Sequence, residues 1–304
     1  MSEFITIMSQ HPWLFTGLAF VFAAVIGSFI NVVIYRLPVM LKREWQQECE
    51  SYLEEYQPAA FKLLTDKKLL QPIDKLPAKF NLIVPGSACP KCHAAIKPWH
   101  NLPIIGWLWL RGKCAECQQP ISGRYPLFEL LAAILVASLA WHFGPTWQFA
   151  LSALLTFALI ALAGIDIDEM LLPDQLTLPF LWLGLAVNSV GLFVPLADAV
   201  IGAIAGYLSL WSVFWLFKLL TGKEGMGYGD FKLLALFGAW LGWQMLPLII
   251  LLSSLVGAVF GLSLMLFKGM QRNNPIPFGP YIVIAGWVAL LWGPTIISWY
   301  LRSL

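Results

Sequence analysis

Apolar residues in this chain gather in long unbroken runs, and the polar residues collect between them. A run of about 20 apolar residues is long enough to cross the hydrocarbon layer of a bilayer as a helix. The pattern predicts eight such spans, near residues 14–35, 127–143, 147–165, 178–194, 199–217, 231–246, 247–267 and 280–301. The sixth is short. The first has no basic front end and continues past Gly27 and Asn31 toward Tyr35, which sets it apart from a cleavable signal peptide. One large polar segment interrupts the series. Its opening, KREWQQECESYLEEYQ, reads as a charged helix, and Pro72 and Pro77 break the chain beyond it. The expected organisation is an N-terminal segment with the first span (1–35), a polar insert (36–126) and a membrane domain of seven spans (127–304).

Composition agrees with that pattern. Hydrophobic residues make up 59% of the 304 and charged residues only 12%, against about 25% in soluble domains. The predicted class is an all-α polytopic membrane protein, with the lipid bilayer as its first partner. The net charge of +2 gives no reason to expect nucleic acid. Charge placement says more. With the N-terminus outside and eight crossings, eighteen of the nineteen Lys and Arg fall inside, and only Arg302 falls outside. Thirteen of these lie in 36–126, and Lys218, Lys223, Lys232, Lys268 and Arg272 supply the rest. If the sixth run did not cross, Lys268 and Arg272 would move outside. The positive-inside rule therefore favours eight crossings, a cytoplasmic insert and both termini extracytoplasmic.

The insert carries CPKC (Cys89, Cys92) and, after 21 intervening residues, CAEC (Cys114, Cys117). Each C-x-x-C can turn tightly and present two thiolates, and two such turns complete a tetrahedral metal site. The gap slightly exceeds the usual range of about 15–20 residues. Two disulfides or four reduced thiols are the alternatives, and a reducing cytoplasm disfavours the disulfides. The predicted metal is a structural Zn²⁺, since four thiolates leave no open position for catalysis. Cys49 stands apart as an ordinary thiol. His93 and His100 lie between the pairs and are not needed as ligands.

Two carboxylates converge on one membrane face. The third span ends in ALAGIDIDEMLLPDQLT, so Asp166 arrives as the helix reaches the cytoplasmic surface, followed by Asp168, Glu169 and Asp174. The fifth span returns to that face, and GKEGMGYGDFK delivers Asp230 behind Gly225, Gly227 and Gly229. Glycines permit unusual dihedrals and close backbone approach, so an extended substrate strand could lie there beside Asp230. A nucleotide loop would need a βαβ unit, and here an apolar helix precedes the glycines. Two close carboxylates share a proton and titrate as a pair. One can activate water while its protonated partner polarises a peptide carbonyl. No H-E-x-x-H or G-x-S-x-G occurs, and the four histidines are scattered at 11, 93, 100 and 142.

Other polar residues read as structural. Asp174 follows Pro173 and is expected to cap the fourth span. Asp168 and Glu169 are expected to be solvated. Glu129 is expected to pair with Arg124 or face water. Ser28 and Asn31 share one helical face and point to helix packing. The stretch PIPFGP at 275–280 either shapes the approach to the last span or simply marks a helix start behind breakers, and Gly112 is expected to form the knuckle turn before Cys114.

Taken in order, GSFINVVIYRLP, CPKC…CAEC, RYPLFE, IDIDEMLLPD, GMGYGDFK and PIPFGPY resemble the bacterial type IV prepilin peptidases, which are GxGD-type membrane aspartic proteases. The resemblance covers about residues 17 to 300. It implies Asp166 and Asp230 as the catalytic pair and Cys89, Cys92, Cys114 and Cys117 as zinc ligands. It also implies a bifunctional inner-membrane enzyme. Such an enzyme cuts the basic leader of type IV prepilins or type II secretion pseudopilins after a glycine at the cytoplasmic face. It then methylates the new N-terminal residue, usually phenylalanine, with S-adenosylmethionine. No Lys or Arg occurs from 125 to 217, so Asp168 and Glu169 form part of an acidic rim suited to a basic leader. The rival readings are a GxGD protease without methylation, an ion-coupled transporter and an inactive pilus-assembly scaffold. Transport predicts acids near the bilayer midplane, whereas these sit at one edge.

Overall fold

A computed structural model describes residues 2–66, 77, 79–223, 225–268 and 276–302. Pro72, Arg272 and Pro275 lie outside them. Among the described residues the chain forms eleven α-helices: α1 (Ser2–Gln10), α2 (Pro12–Tyr56), α3 (Pro58–Asp66), α4 (Ile105–Trp109), α5 (Arg124–Phe143), α6 (Trp147–Glu169), α7 (Asp174–Asn188), α8 (Leu196–Thr221), α9 (Tyr228–Leu241), α10 (Leu246–Lys268) and α11 (Gly279–Arg302). The chain is all-helical and a multi-pass membrane protein. Six helical segments are long and apolar enough to cross a bilayer: α2, α5, α6, α8, Trp243–Phe267 and α11. The other two apolar runs also become helices, but shorter ones of 15 (α7) and 14 (α9) residues. At a rise of about 1.5 Å per residue each spans roughly 22 Å, short of the ~30 Å hydrocarbon core.

The charged helix expected after the first span is not separate from it. The α2 helix runs unbroken for 45 residues through Pro38. The chain divides into two compact units, one made of Met1–Gly27 with Leu130–Leu304 and the other of Ser28–Glu129.

In the first unit α9 is the centre. From Asp230 to Leu241 all its residues are buried except Lys232. The α8 helix crosses it at glycines: a Cβ on Gly202 would run into the Gly238 carbonyl, and one on Gly238 into the Gly202 carbonyl. Small residues let helix backbones approach closely where lipid supplies no hydrophobic drive. On the other side Gly184 of α7 makes room for the Trp240 indole, whose Nε1 donates to the Phe180 carbonyl at 2.8 Å. Asn188 closes α7 with all its polar capacity used. Its Nδ2 donates to the carbonyls of Ala239 and Trp240, and its Oδ1 accepts from the N–H groups of Phe193 and Val194, all at 2.9–3.1 Å. That junction ends α7 at residue 188, before the 194 expected from hydropathy.

Contacts define two ends of this bundle. Gln148–Leu192, Asn188–Trp240 and Trp243–Asp198 meet at one. At the other, the last turn of α6 meets the starts of α7, α9 and α11. The helices therefore run alternately up and down, the two short ones included.

In the second unit, α2 and α5 are joined by polar side chains. Asn31 Nδ2 donates to the Tyr125 carbonyl at 3.1 Å, and Ser28 bonds Glu129. Ser28 and Asn31 thus serve helix packing, as their spacing suggests. Arg36 is buried, and its guanidinium donates to the carbonyls of Asn81 (2.8 Å) and Pro85 (2.7 Å). The Phe80 ring lies against both Arg36 and Arg43, at 5.4 and 5.2 Å. In the sequence Arg36 figures only as a charge flanking the first span and as part of GSFINVVIYRLP, and nothing singled out Asn81.

Candidate active site

The end of α6 is set by Met170, which takes a left-handed conformation (φ 51°) and donates its N–H to the Asp166 carbonyl at 2.9 Å. This stops the helix one turn after Asp166. The Asp166 side chain is only 5% exposed. Its Oδ2 accepts the N–H of Gly279, the first residue of α11, at 2.9 Å. Helix N-termini present unpaired N–H groups and a partial positive charge, which suit a carboxylate. Gly279 must lack a side chain, since a Cβ there would sit 2.6 Å from Asp166 Oδ2 and 3.2 Å from Leu172 Cδ2. The PIPFGP stretch therefore does more than start a helix.

Asp230 reaches the same end from the start of α9 and is 7% exposed. Gly227 is the N-cap, so Asp230 is the third helical residue, and its carboxylate bonds back to the Gly227 backbone N–H. This is the reciprocal half of a capping box. Asp166 acts electrostatically on Asp230, so the two carboxylates share one environment. Leu172, in the short link between α6 and α7, lies against both the Gly229 and Gly279 positions. Leu172 thus packs beside the glycine that precedes Asp230 and the glycine that bonds Asp166.

The three glycines behave differently from one another. Gly227 is extended (φ −82°, ψ 151°) and Gly229 lies in the first turn of α9, so neither uses the left-handed region. A Cβ on Gly229 would lie 2.8 Å from Leu172 Cβ, and one on Gly225 would lie 3.0 Å from the Phe217 ring. Packing within the chain accounts for those two. At Gly227 the nearest side-chain atom to a Cβ would be Asp230 Oδ2 at 3.7 Å, an ordinary contact, so this glycine leaves room beside the carboxylate.

Around the pair, Asp168 and Glu169 are exposed on the last turn of α6. Asp174 does not cap α7. Pro173 is the N-cap, and both Asp174 oxygens instead take Lys232 Nζ at 2.7 Å, joining the starts of α7 and α9. Reading the sequence missed Lys232, Leu172 and Gly279. A lone Lys at the head of one apolar run and a lone Asp at the head of another was the available signal for the first.

The four cysteines of the insert come together. Cys89 and Cys117 sulfurs are 3.7 Å apart, Cys92 and Cys114 sulfurs 4.0 Å, and all four lie within 4.8 Å of one another. A tetrahedron with metal–sulfur bonds of about 2.3 Å has edges of roughly 3.8 Å, so the set fits a metal. The two turns repeat one pattern. Cys89 N–H donates to Ala94 and His93 N–H returns to Cys89, while Cys114 N–H donates to Gln119 and Gln118 N–H returns to Cys114. His93 and Gln118 hold matching left-handed positions, with φ 57° and 58°. The left-handed residue of the second turn is therefore Gln118 and not Gly112, whose own φ of 68° serves the stem against the Trp107 ring. Backbone N–H groups of Cys92 and Lys91 draw the Cys89 thiol down to about 6, while burial and the three neighbouring sulfurs push the Cys92 thiol up to about 11, so one proton is held unevenly among the clustered sulfurs.

Glu129 is buried rather than facing water. Its Oε2 accepts the Ile104 N–H at 2.6 Å. Ile104 has φ 60° and ψ −51°, a strained γ-turn closed by Ile105 N–H on the Pro103 carbonyl at 2.5 Å.

The fold and these two acids define a class: helical membrane proteins with a buried aspartate pair at one end of the bundle. Residues 21–143 match the Bacterial Peptidase A24 N-terminal domain, and residues 153–262 match the Type IV leader peptidase family. The chain belongs to the type IV leader peptidase family. Its relatives include proteins named prepilin leader peptidase/N-methyltransferase. That of Aeromonas salmonicida is 56% identical over 293 residues, covering 96% of both chains. That of Pseudomonas aeruginosa is 52% identical over 295 residues, covering 97% of this chain and 96% of the relative. The Legionella pneumophila protein is 43% identical over 292 residues, covering 96% of each. No solved structure matches the chain. Family membership supports the peptidase reading and not the ion-coupled transporter.

Proposed function

We propose that this protein is a bifunctional enzyme of the bacterial inner membrane. It cleaves the basic leader from type IV prepilins or type II secretion pseudopilins after a glycine, and then N-methylates the new N-terminus with S-adenosylmethionine as donor. The observation that carries this reading is the placement of Asp166 and Asp230, two buried carboxylates from different helices, at one end of the bundle within electrostatic reach, each bonded to a backbone N–H at or beside a helix start. The names of the relatives support both activities.

In the proposed reaction one aspartate is ionised and takes a proton from water, whose oxygen adds to the scissile carbonyl carbon. The other is protonated and donates to the carbonyl oxygen. Collapse of the tetrahedral species breaks the C–N bond, with a proton passing to the leaving amine. Gly227 leaves space for the substrate backbone, and Gly225 and Gly229 let the loop lie close. Asp168 and Glu169 draw the basic leader. Cys89, Cys92, Cys114 and Cys117 hold a structural Zn²⁺ that stabilises the insert.

In the membrane, α7 and α9 complete eight crossings, so the aspartates face the cytoplasm and both termini the periplasm. The alternating run of the helices supports this, as does the concentration of Lys and Arg in 36–126. The test is cleavage of a full-length prepilin by purified protein. Asp166→Asn and Asp230→Asn should each lose about 10²–10⁴-fold or more in rate, the usual weight of a positioned acid or base. Full cleavage by either variant would remove that residue from the pair. Product from wild type should gain one methyl group by mass only when S-adenosylmethionine is added.

A further inference from the structure

The second unit carries an apolar face that its own fold leaves open. On α4, Ile105, Leu108 and Trp109 are 61%, 60% and 68% exposed. Their i, i+3, i+4 spacing places them on one side of the helix. The opposite side is used, because Gly106 is buried against the His100 backbone and Trp107 Nε1 donates to the Ile121 carbonyl. Trp99 and Leu102, just before α4, are exposed as well.

Charge and attachment to α5 indicate what covers this face. From Lys75 to Ala115 there is no Asp or Glu, while exposed Lys91, Lys97, Arg111 and Lys113 flank the apolar residues. Lys97 Nζ lies 5.8 Å from the Trp99 ring centroid. Tryptophan beside basic residues around an aliphatic patch matches the interface of a membrane with anionic headgroups. The strained Ile104 turn, immediately before α4, is pinned by Glu129, the sixth residue of α5. α5 is one of the membrane-length helices. The apolar face is therefore tied to the point where a span begins.

We propose that Leu102, Ile105, Leu108 and Trp109, with Trp99, form an interfacial anchor lying in the inner leaflet, with Lys97, Arg111 and Lys113 on anionic lipid headgroups. The anchor fixes the metal-binding insert to the bilayer surface. This needs the chain to sit in a membrane but is independent of the peptidase chemistry.

The test places a nitroxide label at Leu108→Cys or Trp109→Cys in the full chain carrying Cys49→Ala. The protein is reconstituted in vesicles of phosphatidylethanolamine and phosphatidylglycerol. The same chain without the introduced cysteine gives the background from the cluster thiols. Collisions with dissolved oxygen should exceed those with a water-soluble nickel chelate at both positions. Equal or greater access by the chelate would put the face in water and overturn the proposal. Shielding from both reagents would mean that protein, either another part of the chain, a second copy or a substrate, covers the face, and would overturn it too.

Discussion

At the scale of single residues, the site depends on atoms that are missing. Gly279 donates its N–H to Asp166 and has no room for a Cβ, which would stand 2.6 Å from the carboxylate oxygen. Gly279→Ala should therefore push Asp166 out of place while α11 still forms, since alanine favours a helix. Misplacing a reacting group by about 1 Å can cost on the order of 10²-fold in rate. We expect kcat to fall by about that factor with a prepilin substrate while the melting temperature in detergent moves little. Near-wild-type kcat would show that the Gly279 contact does not position the acid. The aspartates were legible in the sequence because carboxylates are rare at the ends of apolar runs, and the cysteines because each C-x-x-C pair is local. Gly279 was not, because its reason lies 113 residues away in Asp166. Lys232 was hidden in the same way, its partner Asp174 being 58 residues distant.

Secondary-structure elements were readable where hydropathy alone sets them and unreadable where a distant contact ends them. The eight apolar runs all became helices. The end of α7, however, is fixed by Asn188 reaching the last carbonyls of α9, and a hydropathy window cannot see that. The insert shows the opposite case. Its two C-x-x-C turns were legible, and they fold into matched loops whose hydrogen bonds differ only in residue identity. Each contributes two sulfurs, so losing one ligand from either turn opens the tetrahedron. Cys114→Ala should lower bound zinc from one equivalent per purified chain to a small fraction of that. The region around 79–121 should then become sensitive to protease, because structural zinc contributes directly to folding. Undiminished zinc in this variant would exclude Cys114 as a ligand.

For the whole molecule the decisive quantity is where charge lies. Basic residues crowd the insert, while 125–217 has none, and Asp168 and Glu169 stand exposed one turn from the buried Asp166. A short basic leader approaching the aspartate end of the bundle would thus meet an acidic rim beside the pair, not a uniformly positive surface. Exposed charge pairs are each worth about 0.2–1 kcal/mol and weaken with salt, since the Debye length is only about 10 Å at 0.1 M. Removing both charges with Asp168→Asn and Glu169→Gln should raise the KM for a prepilin by roughly 2- to 30-fold at low ionic strength on that scale. Added salt should raise the KM of the wild type toward that of the variant, because screening removes the same attraction that the substitution does. The measurement is KM against salt concentration for both proteins on one substrate. Two flat and coincident curves would mean that the leader is held by contacts other than this rim.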